Sequence, residues 1–244
     1  MAEKDIRDYH LLLAQEITQG LRHSMRAELE TLRLLLFALE RVNAKGDLTQ
    51  RQQHESQEII DTMMASLRSL GESVDETERF YRSYGDSISK IDLYNIVSSA
   101  VNDYSKRLAD QDVSIKITGD KEASTLGSPD QLRIAFQNII LNSLQAYKAI
   151  ARRSRRKIDI SIYSEKSDVS IVFSDNAGGI PKEHENTSLE VGYTTKKGST
   201  GLGLAVVRHV IEQHQGQLIL ENRYGDGFTV RIRLPRRISE RSDV

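Results

Sequence analysis

The sequence predicts an α+β protein: an N-terminal helical hairpin, completed to a four-helix bundle on dimerisation, followed by an α/β layer sandwich with a mixed sheet. Three observations predict it. The first third carries apolar residues at helical spacing, and no proline occurs before Pro129. Near Gly85-Asp-Ser-Ile-Ser that spacing stops, and alternating strands interleave with capped helices. Between two of the later elements, Tyr193 to Gly203 places Gly198, Gly201 and Gly203 within six residues, directly before the apolar run from Leu204.

From about Lys4 to Asn43 nothing forbids a continuous helix. Ile17, Leu21, Met25, Leu29, Leu32, Leu36 and Leu39 form a seam that drifts into heptads. Ala44-Lys-Gly-Asp-Leu-Thr is the break, with Gly46 suited to the left-handed conformation and Asp47 or Thr49 available as a cap. A second seam follows at Ile60, Met63, Leu67, Leu70 and Val74. Helices of about 60 Å and about 50 Å, at 1.5 Å per residue, cannot bury a full stripe on each other alone. Pairing of two hairpins is the economical cover. His23 sits between Leu21 and Met25, about 200° from each at 100° per residue, and so lies on the outer face. Taken alone it reads as an ordinary surface histidine. His10, His54, His184, His209 and His214 carry equally plain readings.

In the second part, Asp92 caps a helix that runs through Tyr104, and Val113 to Thr118 alternates as a strand. Ser128 or Asp130 opens a strong helix through Leu132, Ile139, Leu144 and Tyr147. Lys157–Ser164 and Val169–Ser174 form a hairpin. A helix then reaches about His214, followed by a strand from Gln217, the turn Tyr224-Gly-Asp-Gly and a last strand from Phe228. The expected domains are residues 1–86, residues 87–236 and a flexible tail, 237–244.

Composition narrows the function. The 244 residues hold 38% hydrophobic and 28% charged side chains with a formal net charge of −1, which gives no global electrostatic reason for nucleic-acid binding. The cluster Ala151-Arg-Arg-Ser-Arg-Arg-Lys reads as a solvated loop, without the aromatic or wider basic support such binding needs. There is no cysteine, so disulfides and thiolate metal sites are excluded. No apolar run approaches the roughly 20 residues that cross a bilayer, and the N-terminus lacks a signal-peptide core. A cytoplasmic location is expected, whether for a whole protein or for a piece of a larger one.

Three stretches carry chemistry. A glycine-rich loop feeding a helix N-terminus is an anion site, and Thr194, Thr195, Lys196 and Lys197 before it suit a polyphosphate. The plain alternative is a surface loop ending in a cap. Asp175-Asn-Ala-Gly-Gly-Ile-Pro follows a strand directly, so its carboxylate could accept a hydrogen bond from a planar amine, or could merely form an Asx turn. Asn138 and Asn142 lie one helical turn apart on a mostly apolar helix. Buried carboxamides need partners, and their oxygens suit Mg²⁺. Two half-exposed helix asparagines are the alternative.

In this order, Asn138-Ile-Ile-Leu-Asn142-Ser-Leu-Gln-Ala, Asp175-Asn-Ala-Gly-Gly-Ile and Gly198-Ser-Thr-Gly-Leu-Gly-Leu resemble the N, G1 and G2 boxes of sensor histidine kinases. A helical hairpin with an outward histidine is similar to that family's dimerisation and phosphotransfer domain. The resemblance implies an ATP-dependent autokinase in which His23 is the phospho-acceptor and an aspartate on a response regulator receives the phosphoryl group. It implies that Asp175 binds the adenine amino group, that Gly179 and Ile180 shape the base pocket, that Asn142 holds Mg²⁺ and that Asn138 supports the phosphates. Thr194, Thr195, Lys196, Ser199, Thr200, Gly201, Leu202, Gly203 and Leu204 would form the lid and phosphate cradle.

Around His23 the chain departs from the family pattern. Ser24 stands where a carboxylate would act as general base, a role worth roughly 10²–10⁴-fold in rate. Ala27 stands where Thr or Asn would position water, and Glu28 replaces a helix-bending proline. These replacements argue against phosphatase activity and for slow autophosphorylation. Ala177 replaces the first glycine of the G1 pattern and is nearly as small. An ATP-binding dimeric scaffold and a serine protein kinase of the same ATP fold are the competing readings. Asn138 stands where ATP-hydrolysing members of the wider superfamily carry a glutamate base, which argues against steady hydrolysis.

Overall fold

The computed structural model describes residues 25–42, 50–82, 88–149, 155–180 and 203–236. His23, the break at Ala44–Thr49 and the segment Thr194–Leu202 lie outside the described residues. The chain divides into two compact units. Described residues as far as Arg79 belong to the first, and those from Phe80 onward to the second.

The first unit contains α1 (residues 25–42) and all but the last three residues of α2 (Gln50–Arg82). Each helix bears two adjacent heptad stripes where one seam was expected. On α1 the half-covered stripe is Met25, Glu28, Leu32, Leu35, Leu39 and Val42, while Leu29, Leu36 and Phe37 are exposed. On α2 the covered stripe runs through Gln52, Ser56, Ile59, Met63, Ser66 and Leu70, and Ile60, Met64, Leu67 and Val74 are exposed. The expected seams had threaded both stripes together, because alternating steps of three and four can join apolar positions on neighbouring faces.

The second unit is built on a five-stranded sheet of order β2-β4-β5-β7-β6. Its strands are β2 (Val113–Gly119), β4 (Arg156–Ser164), β5 (Asp168–Asp175), β6 (Gln217–Arg223) and β7 (Gly227–Pro235). β2 and β4 are parallel and every other pair is antiparallel, so the sheet is mixed as expected. The parallel pair requires a crossover, which contains β3 (Ser124–Gly127) and α5 (Pro129–Ala149). β3 pairs antiparallel with β1 (Ser89–Asp92) in a separate ribbon. These strands of four residues are too short to show alternation in sequence. α4 (Ser105–Asp110) is likewise a short addition.

Capping chemistry sets where the helices begin. Asp92 precedes α3 (Leu93–Asn102), accepting from the Asn95 backbone N–H at 3.0 Å and its Nδ2 at 2.7 Å. Ser128 Oγ accepts from the Gln131 N–H at 3.3 Å and opens α5. α5 buries Leu132, Phe136, Ile140 and Leu144, one every turn. Phe136 meets Phe173 of β5 with ring centroids 5.5 Å apart. The inward series Ile158, Ile160, Ile162 and Val169, Ile171, Phe173 completes that side of the core. α6 (Gly203–Gln213) adds Val206, Val207, Val210 and Ile211.

Candidate functional site

α5 positions two polar stripes beside its apolar one. The first is Asn138 and Asn142. Asn138 is 2% exposed, and its Nδ2 donates to the Ile134 carbonyl at 2.9 Å. That bond turns its Oδ1 toward Gly203, the first residue of α6. A β-carbon built on Gly203 would lie 3.2 Å from Asn142 Oδ1 and 3.6 Å from Asn138 Oδ1. Two carboxamide oxygens therefore converge at a helix N-terminus, where backbone N–H groups lack intrahelical acceptors. The arrangement accommodates phosphate at the helix end and offers neutral oxygen donors that suit Mg²⁺. Among the described residues no group of three His, Cys, Asp or Glu side chains is placed to hold a metal. A divalent ion here would thus need the phosphates for its charge balance.

The second stripe, Ser143 and Tyr147, engages the end of β5. Asp175 is the last inward position of that strand, continuing Val169, Ile171 and Phe173. Its Oδ2 accepts from Ser143 Oγ at 2.6 Å, and its Oδ1 accepts from the Ala177 N–H at 3.0 Å and the Phe228 N–H at 3.3 Å. The bond to Ala177 is the Asx turn foreseen as the plain reading, so the carboxylate serves the turn and still presents Oδ2 on the helix side. Tyr147 is fully buried with its hydroxyl 2.6 Å from both Lys157 O and Asn176 Oδ1. Burial pushes its phenol up to about 12, with the Asp175 charge adding to the effect and the hydrogen bonds opposing it.

Gly179 and Ile180 leave this turn along a well-held path. Gly178 and Gly179 have φ of 85° and 72°, values that favour glycine. Asn222 grips Ile180 at both ends of its peptide frame, accepting from its N–H at 2.8 Å and donating to its carbonyl at 2.7 Å. A β-carbon on Gly179 would lie 2.5 Å from Asn222 Oδ1. One on Gly227 would collide with the Asp175 carbonyl.

His209 and His214 are buried, which corrects their reading as plain surface histidines. His214 closes the far end of the α5–α6 contact. Its Nε2 accepts from the Ser128 N–H at 3.0 Å, so Nδ1 carries the proton and donates to the Val210 carbonyl at 2.7 Å. Burial holds the imidazole below its usual range. α5 and α6 are thus joined at both ends, by His214 at the start of α5 and by Gly203 against Asn138 and Asn142.

The structure brings together Asn138, Asn142, Gly203 and Leu204 of the expected site, and it places Asp175, Gly179 and Ile180 at the end of β5. Sequence reasoning missed Ser143, Asn222 and His214 as site-building residues. Ser143 and Tyr147 had a signal, a second i,i+4 polar pair beside the asparagines. Asn222 had none, because its partner lies 42 positions away. A polar cleft lined by Lys157, Asp159, Ser174, Arg223, Asp226 and Thr229 also opens beside Asp175. It lies on the sheet face opposite Ile158 and Ile160, and Asn176 lines it but Asn138 and Asn142 do not.

Comparisons with known proteins bear on the fold. Residues 127–238 match the family described as histidine kinase-, DNA gyrase B-, and HSP90-like ATPase. The chain is 26% identical over 234 residues to sensor histidine kinase ZraS of Salmonella typhimurium, covering 94% of this chain and 47% of that protein. It is 24% identical over 231 residues to sensor-type histidine kinase PrrB of Mycobacterium bovis, covering 92% and 48%. The chain spans about half the length of the curated relatives it matches. The crystal structure of histidine kinase ThkA in complex with response regulator protein TrrA resembles it with a TM-score of 0.70 at 14% identity, over 98% of this chain and 66% of that one. The catalytic domain of ThkA alone matches at 0.55 and 19% identity, over 62% of this chain and 97% of that domain. The fold is that seen in these histidine kinase structures, and the match to the histidine kinase-, DNA gyrase B-, and HSP90-like ATPase family covers the stretch that holds α5, β4, β5, α6, β6 and β7.

Proposed function

We propose that this protein carries a histidine kinase catalytic core, binds Mg²⁺-ATP in its second unit and autophosphorylates His23. The phosphoryl group then passes to an aspartate of a response-regulator receiver domain. The observation that carries the reading is the convergence of the Asn138 and Asn142 oxygens on Gly203, with Asp175 held by the same helix. In this reading Asp175 Oδ2 accepts the adenine amino group, and Gly179 and Ile180 wall the base. The bare N–H groups of α6 and the segment Thr194, Thr195, Lys196, Ser199, Thr200, Gly201, Leu202 and Leu204 hold the phosphates. Asn142 is assigned to Mg²⁺ and Asn138 to support of the phosphates; the ion, when bound, supplies charge neutralisation on the transferring group. His23 contributes a ring nitrogen that attacks the γ-phosphorus as ADP leaves, a reaction that depends on positioning more than on covalent help from the protein.

The helices support homodimerisation within residues 1–86, ahead of a catalytic domain at 87–236. Leu29 and Leu36 on α1, and Ile60, Leu67 and Val74 on α2, are exposed at steps of seven. Such stripes suit a four-helix bundle. The receiver-domain partner is supported by the ThkA neighbour, whose structure holds response regulator protein TrrA. Ser24 and Ala27 point to slow autophosphorylation and little phosphatase activity.

Incubation with labelled ATP and magnesium tests the reading. Acid-labile phosphate is expected on the wild type, with none on His23→Gln or Asn142→Ala. Label persisting in His23→Gln removes His23 from the role. Acid-stable phosphate on a partner protein would favour a serine kinase, and tight nucleotide binding with no phosphoprotein would favour a scaffold.

A further inference from the structure

We infer that Ser143 is the positioning residue that makes the base site selective for a 6-aminopurine over a 6-oxopurine, an inference that rests on Asp175 being the base acceptor. An ionised carboxylate offers about four lone-pair directions. Three at Asp175 are occupied: the Ala177 and Phe228 N–H groups take Oδ1, and the Ser143 hydroxyl takes one side of Oδ2. One direction remains, on Oδ2. A group so committed accepts a single N–H.

That count separates the purines. Adenine presents one exocyclic amine for the remaining lone pair. Guanine presents its oxo group at the same position, acceptor against acceptor, and its N1–H and N2–H donors form an edge that pairs best with two free carboxylate oxygens. To meet that edge Asp175 would have to rotate, and the tether to Ser143 opposes rotation. The bond is short, 2.6 Å, as charge-assisted O–H···O⁻ bonds are. Ser143 is 6% exposed, so water does not readily replace it. Its hydroxyl also lies 3.4 Å from the Ile139 carbonyl, a longer alternative that leaves the single proton with the carboxylate. Ser143 is one step beyond Asn142 on α5, so the helix that holds the asparagines against Gly203 also fixes the carboxylate for the base.

Titration calorimetry of the full chain with ADP and with GDP, at fixed magnesium, tests this. Ser143→Ala is expected to weaken ADP by roughly 10- to 100-fold, the scale of one lost hydrogen bond to a charged group, and to leave GDP unchanged or tighter, so that the ADP-to-GDP ratio falls. Ser143→Cys keeps the volume but donates weakly, and the ratio should fall there as well. A purely structural serine would weaken both nucleotides together. An equal loss for ADP and GDP, an unchanged ratio in Ser143→Ala, or full selectivity in Ser143→Cys overturns the inference. Asp175→Asn is the control. If it abolishes ADP binding while Ser143→Ala keeps the ratio, the role of Ser143 alone fails; if it leaves ADP binding intact, the base-site reading itself fails and takes the inference with it.

Discussion

Replacing Asn222 by alanine should loosen the chain at Ile180 while leaving the sheet paired. Asn222 makes two side-chain bonds to one residue, 2.8 Å from the Ile180 N–H and 2.7 Å to its carbonyl. At a net value of about 0.5–1.5 kcal/mol each, the pair contributes about 1–3 kcal/mol. Ile180 is half-buried, so water replaces the lost partners in part and the upper end is not reached. The opening equilibrium at Ile180 should then rise roughly 5- to 100-fold, since each 1.4 kcal/mol is tenfold. Amide hydrogen exchange reads this directly. Protection of the Ile180 amide should fall by that factor in Asn222→Ala, whereas the Ile160 and Ile171 amides of the central strands stay as protected as in the wild type. Asn222→Asp separates the two bonds, because its carboxylate still accepts from the Ile180 N–H but faces the carbonyl as a second acceptor. It should lie at or below alanine in protection. Unchanged exchange at Ile180 in both variants would refute the view that Asn222 holds the exit from the Asp175 turn.

Two further outcomes follow from the α5–α6 contact. Gly203→Ala should lose nucleotide affinity, because its β-carbon would sit 3.2 Å from Asn142 Oδ1. Gly203 is the first residue of α6, so little of the roughly 1 kcal/mol that alanine gains over glycine in a helix interior applies, and ADP titration should show weaker binding with the thermal midpoint little changed. His214 is held neutral by burial, with its folded pKa lowered. Above about pH 6.5 it is neutral in both states and contributes no pH dependence. Below that the unfolded chain takes up a proton that the folded chain resists, so stability falls with pH, by at most about 1.4 kcal/mol per unit from this group, until the folded pKa is reached. The drop in urea midpoint between pH 8 and pH 5.5 should be smaller in His214→Gln than in the wild type, and an equal drop would exclude His214 as its source.

The sequence by itself determined what local chemistry governs. Asp92 announces the helix it caps and Ser128 or Asp130 the start of α5, since a cap acts over three residues; the Ser128 Oγ contact to the Gln131 N–H selects Ser128. The hairpin β4–β5 and the strands β6 and β7 follow from period-two alternation around short turns. The Asn138–Asn142 pair shows from spacing alone that both carboxamides share a face. The glycine-rich approach to α6 raises the expectation of an anion site, because helix ends leave N–H groups bare wherever they occur.

Only the tertiary structure decided which polar groups meet across long separations. Spacing of three and four could not divide the apolar residues of α1 and α2 into a covered and an exposed stripe, because both stripes obey the same repeat. Nothing near Ser143 in the chain names Asp175, 32 residues on, as its acceptor. The bond exists because α5 crosses the inward face of β5 where that strand ends. His214 likewise reads as a surface residue until packing brings the end of α6 to the Ser128 N–H, 86 positions earlier. Local pattern specifies each element and its polar stripe; the partner of each stripe is set by how the elements stack, and that is where the carboxylate, the two carboxamides and the start of α6 acquire their geometry.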